Sequence, residues 1–165
     1  PVAGDSGGDA MTRPIYLDYQ ATTPLAPEAR EAMLRWLGGP EEGGFGNPHS
    51  AHRMGREARA AIEVAREQVA ALMPPGGRVI FTSCATEALN LAIRGSGLGG
   101  TVAISAVEHS AVGDTARAVG PVQVIPVDEE GLTDPTLQLP EETRLVAMMQ
   151  VNNEIGTIQP VAAWA

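Results

Sequence analysis

The chain has 165 residues and contains no lysine, so all 11 of its basic residues are arginine. An arginine side chain stays protonated in proteins and is not a nucleophilic amine, so no side chain here can form a Schiff base. The single cysteine, Cys84, excludes an internal disulfide framework, and nothing indicates secretion, so we expect a cytoplasmic protein. No apolar run approaches the roughly 20 residues that span a bilayer, which excludes a transmembrane role.

Positive charge is scarce as well, because 11 basic residues stand against 20 acidic ones and the net charge is −9. This balance argues against a nucleic-acid partner, since neutralising phosphates requires clustered lysine and arginine. Three scattered histidines and one cysteine give no metal-ligand spacing, so no metal site is predicted. The length and the 44% of hydrophobic residues suit one globular domain or a piece of a larger one.

Short apolar segments alternate with amphipathic segments along most of the chain. The pattern predicts strands over 15–17, 78–82, 101–105, 122–127 and 144–150, and helices over 27–37, from a cap at Ser50 to about 72, over 85–94, over 110–119 and from 160 onward. Residues 1–13 are expected to be a flexible leader or a remnant of expression. Strands that are apolar on both faces and that alternate with helices indicate an α/β fold. Its sheet is expected to be mainly parallel, with four or five strands, and flanked by helices.

The motif TSCATE, at 82–87, lies between a predicted strand and a predicted helix. Free N–H groups at a helix N-terminus bind anions, and the hydroxyl of Thr86 adds a donor. The same residues also suit a plain helix start with Ser83 as the N-cap, and the motif alone favours this cap. Its spacing matches neither glycine-rich pattern of nucleoside-triphosphate and dinucleotide sites.

Two further motifs follow predicted strands: EHS at 108–110 and VNNEIGTIQP at 151–160. His109 suits ring stacking, proton transfer or metal binding, or else it is a solvent-facing residue before a helix cap at Ser110. Asn152 and Asn153 are able to aim amide donors at a phenolate oxygen, or else they form an ordinary turn. Each motif alone therefore leaves a structural and a functional interpretation open.

All three motifs follow the carboxyl ends of predicted parallel strands, where open α/β sheets bind ligands. An anion site, a stacking histidine and an amide pair on one rim suit a phosphorylated aromatic cofactor. Pyridoxal phosphate meets this description, and other phosphorylated ligands stay open.

Five segments, which include or extend these motifs, follow one another along the chain in an order that can be compared with known families. They are YLDYQATTPLAPEA (16–29), FGNPHSAHRMGREA (45–58), VIFTSCATEALNLAI (79–93), EHSAV (108–112) and VNNEIGTIQP (151–160). In this order they resemble the cysteine desulfurases, fold-type I pyridoxal-phosphate enzymes of the class V aminotransferase family. The resemblance implies that 14–27 belongs to the small domain or active-site entrance. It also implies that 28–165 is a partial cofactor-binding large domain that ends before the Schiff-base lysine.

The resemblance also implies roles for individual residues. Ala85 and Thr86 would hold the cofactor phosphate. His109 would stack on the pyridine ring as the catalytic residue, and Asn153 would hydrogen-bond the 3′-oxygen. Cys84 stands where the family has glycine and is expected to narrow the phosphate turn, because glycine allows a closer backbone approach. The sulfur-accepting cysteine of the family is implied to lie on a later loop.

The implied reaction converts L-cysteine to L-alanine and passes a persulfide on for iron–sulfur clusters or thiolated cofactors. The implied partners are a second copy in a homodimer, a scaffold or sulfur-acceptor protein, and a complementing C-terminal segment or chain. Without a lysine the chain alone is expected to be inactive. Two alternatives stay open: another class V enzyme, such as a lyase or transaminase, and a non-catalytic truncated or split subunit that acts only through a partner chain.

Overall fold

A computed structural model describes residues 15–39 and 41–165, so the leader predicted over 1–13 lies outside the described residues. The described chain forms a small parallel sheet with helices packed against it, and α4 joins its first two strands. Its elements are α1 (Pro27–Leu34), α2 (Arg53–Ala70), α3 (Ala85–Gly95), β1 (Thr101–Ser105), α4 (Ser110–Val119), β2 (Val122–Ile125), β3 (Thr143–Ala147) and α5 (Val161–Trp164). No helix in 15–39 or 41–165 is long and apolar enough to cross a membrane.

The sheet has the order β2-β1-β3, and β1 pairs in parallel with both neighbours. All five residues of β1 are buried, as expected of a central strand in a parallel sheet. The core contains Ile93 of α3, Val102 and Ile104 of β1, and Val112 and Ala116 of α4. The predicted fold class, a mainly parallel α/β sheet flanked by helices, is therefore confirmed.

The predicted strands over 15–17 and 78–82 are wrong, because both segments are irregular in the structure. A strand needs a neighbour that completes its ladder of hydrogen bonds, and no described strand pairs with either segment. The side chains of Ile80 and Phe81 accordingly stay largely exposed. The described sheet has three strands instead of the four or five predicted. Two strand ends also fall earlier than predicted, at Ile125 and Ala147.

Helix boundaries follow capping groups that the apolar pattern does not reveal. The predicted cap at Ser50 is wrong, because α2 begins after His52, whose Nδ1 accepts a hydrogen bond from the Gly55 N–H at 3.3 Å. Helix α1 begins at Pro27 as predicted but ends at Leu34, three residues early. Helix α4 spans the predicted residues 110–119 without change.

Candidate functional site

A cavity of about 890 Å³ opens beside the carboxyl ends of β1 and β3 and the N-terminus of α3. Four of the residues that line it are those singled out in the sequence, namely Ala85, Thr86, His109 and Asn153. They come from three separate segments, the start of α3 and the loops that follow β1 and β3. The parallel sheet brings these segments together because its strands end at one edge.

The turn before α3 leaves backbone donors free. Among the described residues, none accepts a well-formed hydrogen bond from the N–H of Ala85 or of Thr86. These N–H groups, the Thr86 hydroxyl and the helix dipole together suit an anion, and the Thr86 N–H also interacts with the Cys84 sulfur. Cys84 is the N-cap and makes no side-chain capping bond. Its φ of −165° is extended backbone, so the replacement of glycine by cysteine adds no left-handed strain to the turn.

The predicted cap at Ser83 is replaced by a different arrangement. Glu87 Oε2 accepts hydrogen bonds from both the N–H of Ser83, at 2.6 Å, and its hydroxyl, at 2.7 Å. These two bonds, the hydroxyl first, hold the pKa of the Glu87 carboxyl below its usual value. The Ser83 donors are thus already engaged, which leaves Ala85 and Thr86 as the donors for a ligand.

The thiol of Cys84 lies beside the same turn and is exposed. The backbone N–H of Glu87 lowers the pKa of this thiol most, followed by the Ser83 hydroxyl, whose Oγ lies 3.7 Å from Sγ. The N–H of Thr86 lowers it further, while desolvation and the Glu87 charge oppose the change. The turn that suits an anionic ligand therefore also favours a thiolate.

His109 also lines the cavity and is itself the N-cap of α4, a position that the sequence pattern assigned to Ser110. Its Nδ1 accepts a hydrogen bond from the Ala111 N–H at 3.1 Å, so the neutral ring carries its proton on Nε2. This bond fixes the Nδ1 edge of an imidazole that belongs to a residue lining the cavity.

The two neighbouring asparagines have different environments. Asn152 is buried, with 5% of its surface exposed, and both ends of its amide form hydrogen bonds within the protein. Asn153 is exposed, lines the cavity and forms no hydrogen bond with any described residue. Of the pair, Asn153 is therefore the one able to donate to a ligand.

Sequence reasoning missed several residues that line the cavity. Asp18, Gln20 and Ala21 enter it from the N-terminal segment, and Gln20 Nε2 donates to the carbonyl oxygen of Val151 at 2.6 Å. This contact joins residues 131 positions apart. The only available signal was the YLDYQATTP opening, whose side chains have no periodic pattern. Glu108, within the EHS motif, also lines the cavity and was overlooked beside its neighbour.

The donor set fits pyridoxal phosphate. Backbone N–H groups and a hydroxyl suit its phosphate, an imidazole suits its ring face, and an amide suits its 3′-oxygen. Leu89 and Ala147 add apolar wall, which suits a planar ring. No group of three or more metal-ligating side chains occurs in the part of the chain that the structure describes.

The family is settled by comparison with known proteins. The family described as Aminotransferase class-V matches residues 15–165, and the chain belongs to this family. Within it, the chain is 43% identical over 164 residues to the cysteine desulfurase IscS of Dictyoglomus turgidum, covering 92% of this chain and 41% of that protein. It is 44% identical over 167 residues to the cysteine desulfurase IscS of Pseudomonas syringae pv. tomato, and this match covers 93% of this chain and 41% of that protein. The chain therefore spans about 41% of the length of these relatives.

Solved structures agree with this assignment. A NifS-like protein matches with a TM-score of 0.73 and 36% identity, over 89% of this chain and 43% of the other. A structure of SspA in complex with cysteine matches with a TM-score of 0.76 and 32% identity, over 90% and 46%. The predicted resemblance to cysteine desulfurases is confirmed, and the likeness extends over less than half of each related chain.

Proposed function

We propose that this chain is the N-terminal, cofactor-holding part of a pyridoxal-phosphate-dependent cysteine desulfurase. One observation carries the proposal. Ala85, Thr86, His109 and Asn153, which the family resemblance assigns to the cofactor, line a single cavity although they come from three segments. Their chemistry also matches three different parts of one ligand, which a chance cluster of polar residues would not do.

In this proposal the N–H groups of Ala85 and Thr86 and the Thr86 hydroxyl bind the phosphate at the N-terminus of α3. The His109 ring stacks on the pyridine face, and its Nε2–H is free to hold or release a proton near the substrate. Asn153 donates its amide to the 3′-oxygen. The Ala85 N–H, the Thr86 hydroxyl and the Asn153 amide form no hydrogen bond with described residues, and the one His109 side-chain bond among them uses Nδ1.

The bound cofactor supplies an electron sink that weakens bonds at the substrate carbon next to its amino group. The surrounding protein orients the substrate against the ring and excludes water. Here Asp18 and Gln20 form the wall at the N-terminal side of the cavity, where the resemblance predicts the active-site entrance. The proposed division into an entrance segment over 14–27 and a cofactor domain over 28–165 agrees with this placement.

The whole enzyme is proposed to convert L-cysteine to L-alanine and to pass the sulfur on as a persulfide for iron–sulfur clusters or thiolated cofactors. The names of the relatives and the related structure in complex with cysteine support L-cysteine as the substrate. We further propose a cytoplasmic homodimer that works with a scaffold or sulfur-acceptor protein and with a complementing C-terminal segment.

The chain alone is expected to release no sulfide from L-cysteine, because none of its side chains provides a Schiff-base amine. The test compares the pure chain with the chain co-expressed with the remaining part of a relative. Equal amounts of L-alanine and transferred sulfur from the pair, and none from the chain, are expected. Cofactor-dependent sulfide release by the chain alone would contradict this expectation, and a product other than L-alanine from the pair would indicate another class V reaction.

A further inference from the structure

Two polar side chains that the proposed function does not use fasten together the loops that carry His109 and Asn153. One loop follows β1 and the other follows β3, and these strands are parallel neighbours. His109 and Asn153 are themselves exposed, and beyond the strand ends no described strand pairing joins the two loops, while an antiparallel bridge between Val151 and Ile158 closes the loop that carries Asn153. The placement of the two loops relative to each other therefore depends on side-chain bonds between them, in addition to the backbone bonds within each loop.

Glu108 makes the first connection. Its Oε1 accepts hydrogen bonds from the N–H of Met149, across the sheet edge, and from the hydroxyl of Ser105 at 3.2 Å. Glu108 directly precedes His109 and is half-buried. Anchoring this side chain to the neighbouring loop therefore fixes the backbone from which the imidazole projects.

Asn152 makes the second connection in the opposite direction. Its Nδ2 donates to the carbonyl oxygen of Val107 at 2.8 Å, and its Oδ1 accepts from the N–H groups of Glu154 at 2.8 Å and Ile155 at 3.1 Å. The side chain thus closes its own turn and also reaches the loop after β1. Because it is buried, a lost partner would leave a polar group unsatisfied and would destabilise this arrangement of the loops.

We propose that Glu108 and Asn152 are positioning residues that set the His109 ring and the Asn153 amide in register with each other and with the pyridine ring of the cofactor. The inference rests on the proposed function. According to this inference, the geometry of the ring-binding half of the site depends on the bonds between the two loops. The phosphate-binding half, at the start of α3, does not depend on them.

This separation provides a test. Cys84 is the only cysteine and lies beside the phosphate turn, so its alkylation by iodoacetamide reports on anything bound there. Two probes are titrated against the full chain: pyridoxine 5′-phosphate, which lacks the aldehyde and cannot react with amines, and inorganic phosphate. Pyridoxine 5′-phosphate contacts both the ring-binding and the phosphate-binding half of the site, whereas inorganic phosphate contacts only the turn before α3. The readout is the ratio of their dissociation constants.

The first variants are Glu108→Ala, Glu108→Gln and, as a matched control, Glu129→Ala at an exposed turn residue outside the cavity. Glu108→Ala is expected to weaken the binding of pyridoxine 5′-phosphate roughly tenfold, which corresponds to the loss of one hydrogen bond to a charged group. The binding of inorganic phosphate should not change. Glu108→Gln keeps an oxygen acceptor and should remain close to the unmodified chain, as should the control.

Asn152→Asp is the second variant, because it keeps the acceptor for the Glu154 and Ile155 N–H groups and replaces the donor to Val107 by a carboxylate oxygen that repels the Val107 carbonyl oxygen. It should also weaken pyridoxine 5′-phosphate selectively. The inference would be overturned if the variants weakened the binding of both probes equally or of neither. It would also be overturned if Glu108→Gln weakened the binding of pyridoxine 5′-phosphate as much as Glu108→Ala. Absence of protection by pyridoxine 5′-phosphate in the unmodified chain would overturn the proposed function, and the inference with it.

Discussion

At the scale of single residues, the turn over 83–87 divides its donors between the protein and a ligand. The hydroxyl and the N–H of Ser83 both donate hydrogen bonds to Glu87, so the Glu87 carboxylate has its partners within the turn. Ala85 and Thr86 keep their donors free of well-formed bonds to described residues. A phosphate bound as proposed would find the Ala85 N–H and the Thr86 hydroxyl free of bonds to described residues, and would share the Thr86 N–H with the Cys84 sulfur.

Replacing Thr86 by valine tests whether its hydroxyl binds the phosphate. A hydrogen bond to a charged group contributes about 1.5–3 kcal/mol, so Thr86→Val should weaken cofactor binding roughly ten- to a hundredfold when a complementing C-terminal part is present. A titration with pyridoxal phosphate measures the change, and Thr136→Val, at an exposed residue outside the cavity, is the control. Unchanged affinity would mean that the Thr86 hydroxyl does not contact the phosphate.

The lowered pKa of Cys84 predicts an unusually reactive thiol. Because the thiolate is the form that reacts, the rate of alkylation should rise with pH around a midpoint below the ordinary value of 9.0. Glu87→Gln should lower the midpoint further, because the Glu87 charge raises the pKa of the thiol. The control is N-acetylcysteine amide under the same conditions. A midpoint at or above that of the control would contradict the geometry of the turn.

At the scale of secondary-structure elements, the glycine at the start of α2 has a steric role. A Cβ on Gly55 would meet the carbonyl oxygens of Ser50 and Asn47, the latter at 2.6 Å. Gly95, the last residue of α3, has no neighbouring atom within 4 Å of that position. Alanine normally stabilises a helix relative to glycine, so the two positions should respond with opposite signs.

Gly55→Ala should accordingly lower the free energy of unfolding by about 1–3 kcal/mol, the usual cost of overpacking against atoms that cannot move aside. Gly95→Ala should leave it unchanged or raise it by up to about 1 kcal/mol. Denaturant unfolding of both variants measures the difference. A stabilising Gly55→Ala would show that the loop over 47–52 does not pack against α2 as described.

Helices α3 and α4 and the strands of the sheet could be predicted from the sequence because their apolar side chains supply one core. Helix α4 and strand β1 match their predicted bounds for this reason. The segments 15–17 and 78–82 are equally apolar, yet a strand forms only where a neighbour completes its hydrogen bonds. Apolar pattern cannot reveal whether that neighbour is present.

The candidate site could be predicted in part for a topological reason. Motifs that follow parallel strands meet at one edge of the sheet, so His109 and Asn153 could be assigned to one rim from their order alone. The connections through Glu108 and Asn152 could not be predicted, since they join residues 41 and 45 positions apart. Nor could the difference between Asn152 and Asn153, because the sequence does not show which amide is buried.

At the scale of the whole molecule, large apolar side chains remain exposed outside the small core. Leu17, Leu37 and Leu72 keep 86%, 73% and 83% of their surface exposed, and β2 and β3 have no described strand on their outer sides. Such faces normally mark surfaces that another part of a protein covers.

The isolated chain should therefore self-associate. Light scattering over a concentration series should give a mass that rises with concentration, and co-expression with the remaining part of a relative should suppress this rise by covering the same surfaces. Leu72→Gln should reduce the association, whereas Glu129→Gln, at an exposed polar residue, should not. A stable monomer with cooperative unfolding would show that the chain closes its own core.

The central claim is that one cavity of this chain binds both the phosphate and the ring of a pyridoxal-type cofactor. It is tested most directly by protection of Cys84 from alkylation in the unmodified chain, with pyridoxine 5′-phosphate compared with inorganic phosphate and with pyridoxine. We expect saturable protection by pyridoxine 5′-phosphate at concentrations well below those that the other two compounds require, because only this compound occupies the turn and the ring site together. Equal protection by pyridoxine 5′-phosphate and inorganic phosphate, or no protection by either, would contradict the claim.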